Sequence, residues 1–241
     1  MSSKRTIYNT TIEKIIDHTP TVRELLIKTS EPESFLFRAG QFAMLHVPQA
    51  GAEKPALRAY SIASDDRQKN GFRLLFKFVP NGVASQYVWS LKANQQIQFT
   101  GPFGRVFFAE PPAQQIVFLS TGTGLSQHLC YLTSKADLFP DLHYTLFFGV
   151  RNESDIFCEN ELIAFKNKFK NFNYHIVLSK PSPQWKGITG YVQHQLKNID
   201  YKNTPTQFYL CGNGHMIKET KSILIERDGI APTQVFSEAF D

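Results

Sequence analysis

The run Ile116-Val117-Phe118-Leu119-Ser120-Thr121-Gly122-Thr123-Gly124 decides how the second half of the chain folds. Four consecutive apolar residues mark a strand buried on both faces. The glycine-bearing turn after them leads into a helix that runs through Lys135. Strand, tight turn and helix make the unit of a parallel sheet covered by helices on both sides. Toward the C-terminus the rhythm returns, with strand Tyr144 to Val150, helix Ile156 to Phe169, strand Tyr174 to Leu178, a helix after Gly190, strand Gln207 to Cys211 and helix His215 to Arg227. No further element is expected in Phe236 to Asp241. Toward the N-terminus, Glu110-Pro111-Pro112-Ala113 breaks every regular pattern, because two prolines in a row fit neither a helix interior nor a central strand. The domain boundary is placed there, giving domains 1–112 and 113–241. The first domain reads as short β-rich runs, Tyr8 to Ile16, Val22 to Thr29, Phe42 to Val47, Phe72 to Val79 and Gln96 to Thr100, with one short helix at Ala84 to Leu91. Such spacing predicts an antiparallel β-barrel or sandwich. The expected fold is thus two-domain, an antiparallel β-barrel followed by an α/β parallel-sheet domain.

Composition narrows the function. With 241 residues, 42% hydrophobic and 20% charged, the chain is expected to be soluble and globular. Its longest apolar runs fall far short of the roughly 20 residues that span a bilayer. The basic start Met1-Ser2-Ser3-Lys4-Arg5 leads to polar residues rather than an apolar segment, so no export signal is read. Cys130, Cys158 and Cys211 lie far apart with no C-x-x-C pair, which argues against a disulfide framework, zinc or an iron–sulfur centre and fits a reducing cytoplasm. No metal site is expected. The 26 basic against 21 acidic residues give a net charge of +5, enough to favour acidic partners and too little to indicate nucleic acid.

Four stretches combine residue types that chemistry can use. In Ser120 to Gly124, glycines let a backbone approach a pyrophosphate at a helix N-terminus, although such a turn also serves as plain strand-to-helix geometry. Cys211-Gly212-Asn213-Gly214-His215-Met216 lies at a second strand end on the same sheet edge, and Cys211 there reads equally as a buried small hydrophobe. Arg58-Ala59-Tyr60-Ser61 offers a cation for phosphate, a ring for stacking on a flat heterocycle and a hydroxyl, with the alternative that Arg58 and Tyr60 are ordinary surface residues. Gly82-Val83-Ala84-Ser85 opens the inserted helix as another phosphate candidate, or as a simple cap at Ser85.

Taken in order, Gly40-Gln41-Phe42, Arg58-Ala59-Tyr60-Ser61, Gly82-x-x-Ser85, Gly101-Pro102-Phe103-Gly104, Gly122-Thr123-Gly124 and Cys211-Gly212-Asn213 resemble the ferredoxin–NADP reductase superfamily over nearly the whole chain, in a single-module form without an iron–sulfur domain. The resemblance implies a flavin-binding barrel followed by a nicotinamide-nucleotide domain, with FAD and NADPH as cofactors and NADH as the other candidate. By it, Arg58 and Ala59 lie along the FAD pyrophosphate, Tyr60 stacks on the flavin and Ser61 bonds near its reactive nitrogen. Lys77 and Phe78 flank the cofactor, and Val83, Ala84 and Ser85 hold its phosphates. Gly122, Thr123 and Gly124 take the coenzyme pyrophosphate, while Cys211, Gly212, Asn213 and Met216 lie near the nicotinamide.

The family often closes with a glutamate, one residue and an aromatic, as in Glu238-Ala239-Phe240. That implies Phe240 over the flavin face opposite Tyr60, and Glu238 with Ser61 and Cys211 around the reacting atoms as a proton relay. Arg151, Ser179 and Lys180, just past two strand ends, supply the cations and hydroxyl that suit a 2′-phosphate, while Glu153 and Asp155 pull toward NADH. One departure concerns Leu125-Ser126-Gln127, where the family often ends a residue pair in proline; this is similar to flavin reductases of the superfamily. The expected protein is a monomeric reductase that passes electrons to an acidic carrier, ferredoxin or flavodoxin. The alternatives are an oxygenase's reductase component, a free-flavin reductase, or a non-catalytic redox sensor.

Overall fold

The computed structural model describes residues 6–240; residues 1–5, with the basic start, and residue 241 lie outside them. The chain forms two compact units, taken over their described residues: Met1–Phe107 with Leu129–Ser134, and Phe108–His128 with Lys135–Asp241.

In the first unit, strands β1 (Ile7–Thr19), β2 (Val22–Glu31), β3 (Phe42–Val47), β4 (Ala56–Ser61) and β5 (Gly71–Lys77) precede helix α1 (Val83–Ser90) and strand β6 (Gln96–Phe103). They form one antiparallel sheet in the order β4-β3-β6-β1-β2-β5. A bridge between Ile62 and Leu74 joins the chain just past β4 to β5, and Ala63 N–H donates to the Arg73 carbonyl at 3.0 Å. The two outer strands meet there and the sheet closes as a barrel, which removes the open edges. Inside, Phe72 lies 4.5 Å from Phe35 and 5.3 Å edge-on from Phe99, centroid to centroid, among fully buried Ile12, Leu25, Leu45 and Ile62.

In the second unit, β7 (Gln115–Thr121), α2 (Leu125–Lys135), β8 (His143–Val150), α3 (Glu159–Lys168), β9 (Phe172–Leu178), β10 (Ile188–Thr189), β11 (Thr206–Asn213), α4 (Gly214–Lys221) and β12 (Val235–Phe240) build a sheet ordered β10-β9-β8-β7-β11-β12. Every pairing in it is parallel. On one face Val117, Leu119, Phe147, Phe208 and Leu210 pack with Val192, Leu196, Met216 and Leu224. On the other, the Phe118 ring packs, tilted, 4.9 Å from that of His128 of α2. Burial pushes the His128 imidazole down to about 3, opposed in part by the Tyr209 backbone carbonyl, so α2 presents a neutral ring to the sheet. The fold thus has the expected class, barrel followed by parallel sheet.

Local differences have local causes. The helix expected from Ile156 begins only at Glu159, after a 3-10 turn at Glu153–Asp155. After Gly190 the chain forms a 3-10 helix, Val192–Asn198, whose tighter period lines up Val192 and Gln195, both buried. The helix expected over His215 to Arg227 is α4 followed by a π-helical stretch at Ser222–Arg227. The expectation of no element after Phe236 is corrected by β12. It pairs with β11 from Phe208↔Val235 to Asn213↔Phe240, so the polar backbone of β11 gains partners on that side, and Phe236 stacks 4.8 Å from Tyr209.

Candidate functional site

In the first unit, β4 carries the Arg58-Ala59-Tyr60-Ser61 motif. Exposed Arg58 donates to the Leu57 carbonyl at 2.9 Å and has no carboxylate partner among the described residues. Ala59, also exposed, pairs with Met44. The Tyr60 ring sits 4.3 Å from that of Phe76. Burial pushes the Tyr60 phenol up to about 12, partly opposed by the Arg58 charge, so its hydroxyl remains a donor. Ser61, 3% exposed, ends the strand opposite Phe42.

The chain then reaches Lys77, whose Nζ donates to Thr21 Oγ1 at 2.6 Å, and Phe78, edge-on to Trp89 at 5.2 Å. At the start of α1 the cap residue is Gly82, which has no side chain to offer. Ser85 does not cap the helix; its buried Oγ accepts the Val79 N–H at 2.8 Å. The backbone N–H groups of Val83, Ala84 and Ser85 have no acceptor among the described residues. A bare helix N-terminus, a guanidinium with no carboxylate partner and a half-buried ring fit a flat heterocycle joined to phosphates, as in FAD.

In the second unit the two glycine loops lock together. A Cβ on Gly124 would overlap the Cys211 carbonyl, and one on Gly212, at φ +127°, would overlap Thr121 Oγ1. The Thr121 hydroxyl accepts the Asn213 N–H at 2.8 Å. Gly122, by contrast, has a positive φ and nothing within 4 Å of the direction a Cβ would take. That open backbone beside Thr123 fits a pyrophosphate. The Asn213 side chain is committed: its Oδ1 accepts from His215 N–H (3.0 Å) and Met216 N–H (3.2 Å) as the cap of α4. Met216 is 4% exposed, in the apolar cluster behind the sheet. An Asn directly before a helical run was a readable cap signal.

Cys211 is fully buried, with Ser120 opposite it on β7 and Glu238 opposite it on β12. Neighbours in register share a sheet face, so the three form one row. The Gln127 amide donates to Glu238 Oε2 at 2.8 Å. No sequence signal could have found that bond, since the partners are 111 residues apart. Phe240, half-buried, ends β12 beside Asn213. Past β8 and β9, Ser179 N–H bonds the Val150 carbonyl (3.1 Å) and Lys180 N–H the Arg151 carbonyl (2.7 Å), which brings Arg151, Ser179 and Lys180 side by side. All three are exposed, and neither cation has a carboxylate partner among the described residues. Glu153 is engaged by Ser182, whose hydroxyl (2.6 Å) and N–H (3.0 Å) hold its carboxyl below the usual range. Arg58, Tyr60 and Ser61 thus belong to the first unit, and the Cys211–Glu238 row to the second.

Two family models match the chain, an oxidoreductase FAD-binding domain over residues 9–108 and an oxidoreductase NAD-binding domain over residues 118–222. Ferredoxin–NADP reductase B of Sorangium cellulosum is 30% identical over 92% of this chain and 93% of its own length. The anthranilate 1,2-dioxygenase electron transfer component of Acinetobacter baylyi is 32% identical over 85% of this chain, which spans only 58% of that relative's length. Among solved structures, a ferredoxin NADP+ reductase from Neisseria gonorrhoeae with bound FAD and NADP superposes with a TM-score of 0.82 at 22% identity, covering 99% of both chains. The chain belongs to the ferredoxin–NADP reductase superfamily. It carries the FAD-binding and NAD-binding domains of that family. No described helix is long and apolar enough to cross a membrane.

Proposed function

We propose that this chain carries electrons from NADPH through FAD to a separate acidic carrier protein of the ferredoxin or flavodoxin type, in the cytoplasm. The observation that carries the reading is the match to a ferredoxin–NADP reductase along 93% of that relative's length. Bound FAD would supply the chemistry that accepts a hydride's two electrons together and releases them singly. The protein's part is placement. The Arg58 guanidinium and the N–H groups of Val83, Ala84 and Ser85 hold the FAD phosphates, Tyr60 stacks on the ring, and Ser61 bonds its edge. Lys77 and Phe78 flank it. The backbone from Gly122 to Gly124 holds the coenzyme pyrophosphate, and Cys211, Gly212, Asn213 and Met216 shape the nicotinamide end. Glu238 moves the proton.

The test compares ferredoxin, flavodoxin and free FMN as acceptors under identical conditions. Faster turnover with a carrier protein than with FMN supports the proposal, and the reverse order makes the chain a free-flavin reductase. The 32% identity to an oxygenase's electron transfer component favours a second reading, a reductase serving an oxygenase, which predicts preference for that system's iron–sulfur acceptor.

Coenzyme choice rests on Arg151, Ser179 and Lys180, because a 2′-phosphate calls for cations and hydroxyl donors and Glu153 is tied to Ser182. Lys180→Ala should lower kcat/KM for NADPH by about tenfold, a loss of about 1.4 kcal/mol, and leave NADH nearly unchanged. An unaltered NADPH/NADH ratio removes Lys180 from the coenzyme site.

Phe240 is assigned to the flavin face that the nicotinamide must reach. Phe240→Ala should then tighten coenzyme binding and shift the flavin absorbance spectrum. A variant with wild-type spectrum and affinity but a lower melting temperature would place the ring in the core of the second unit instead.

A further inference from the structure

We propose that Gln127 is the positioning residue of Glu238, an inference that rests on the proton-relay reading of that carboxylate. Glu238 sits on β12, the outermost strand of its sheet, held by β11 alone, and its side chain is only half-buried. Gln127 is fully buried at the start of α2, and its amide donates to Glu238 Oε2 at 2.8 Å. A buried side chain in a close-packed helix has little freedom, so this bond selects one orientation for the carboxylate.

The chemistry of the donor matters as much as its place. A lysine or arginine at this position would fix the carboxylate and also pin it ionised, since a neighbouring cation lowers a carboxyl pKa by about 1–3 units. A neutral amide orients the group and leaves it able to take up and release a proton. In the cross-strand row the neighbour of Glu238 on β11 is the neutral Cys211.

The test uses FAD-loaded protein in four forms: wild type, Gln127→Met, which keeps the length and loses the donor, Glu238→Gln, and the double variant. In NADPH-driven turnover with ferredoxin as the acceptor, Gln127→Met should lower kcat on the order of tenfold, as small misplacements of reacting groups do. Coenzyme Kd and FAD content should stay at wild-type values. The double variant should be no slower than Glu238→Gln, because both changes remove one function.

A second readout needs no turnover and survives a poorly folding Gln127→Met. The side-chain amide resonances of Gln127, observed by NMR in wild type, should move clearly in Glu238→Gln, where the acceptor loses its charge. Unmoved resonances, or Gln127→Met at full speed beside a slowed Glu238→Gln, overturn the positioning role and leave the relay standing. Rate losses that multiply in the double variant overturn it as well. A Glu238→Gln variant at wild-type rate removes the relay, and with it anything for Gln127 to position.

Discussion

Glu238→Gln should slow overall turnover by about a hundredfold or more, the usual scale for loss of a general acid or base. FAD content should be unchanged, because no contact assigned to the flavin phosphates or ring involves this carboxylate. Glutamine keeps the shape of the side chain and an oxygen for the Gln127 amide, so β12 should keep its pairing with β11. The variant therefore separates the proton from the fold. Loss of FAD or a large fall in melting temperature alongside the rate would mean that Glu238 supports the sheet, and a full rate would remove it from the chemistry.

The second large effect is expected at Gly212. An alanine there has to adopt a φ near +127° and place its Cβ into Thr121, against backbone and Oγ1 atoms that cannot swing aside. Overpacking of this kind costs about 1–3 kcal/mol, and for a chain of this size each kcal/mol lowers the melting temperature by about 2–4 °C. The same clash pushes the Thr121–Gly124 turn away from the Cys211–Asn213 loop, so Gly212→Ala should also lose most of its affinity for the coenzyme. Gly122→Ala is the matched control. Its Cβ meets nothing within 4 Å, so it should lower coenzyme affinity while costing only the strain of a positive φ, about 1 kcal/mol. Comparable stability losses in the two variants would contradict the interlocked loops.

What the sequence revealed and what it concealed follow one physical line. Val117 and Leu119 pack one sheet face while Phe118 packs the other, and such two-sided burial leaves an uninterrupted apolar run that is easy to read. β12 leaves no such trace. As an outer strand with mostly half-buried residues it is held by backbone bonds to β11, and hydrogen bonding has no hydrophobic period. β4, only partly buried and ending at the closure of the barrel, was legible as a motif before it was legible as a strand.

The site divides in the same way. The glycine turns were readable because a tight backbone approach demands glycine. The engagement of Asn213 as a helix cap, of Glu153 by Ser182 and of Glu238 by Gln127 depends on where the fold brings side chains together. Of these, only the cap had a local signal.

The central claim, that hydride enters this chain from NAD(P)H onto FAD held by its first unit, is tested most directly by anaerobic stopped-flow mixing of the FAD-loaded protein with NADPH and, separately, NADH. The account predicts bleaching of the flavin absorbance at least as fast as turnover with a carrier protein, faster with NADPH than with NADH. Protein that keeps its FAD but holds it oxidised in the presence of both coenzymes would contradict it.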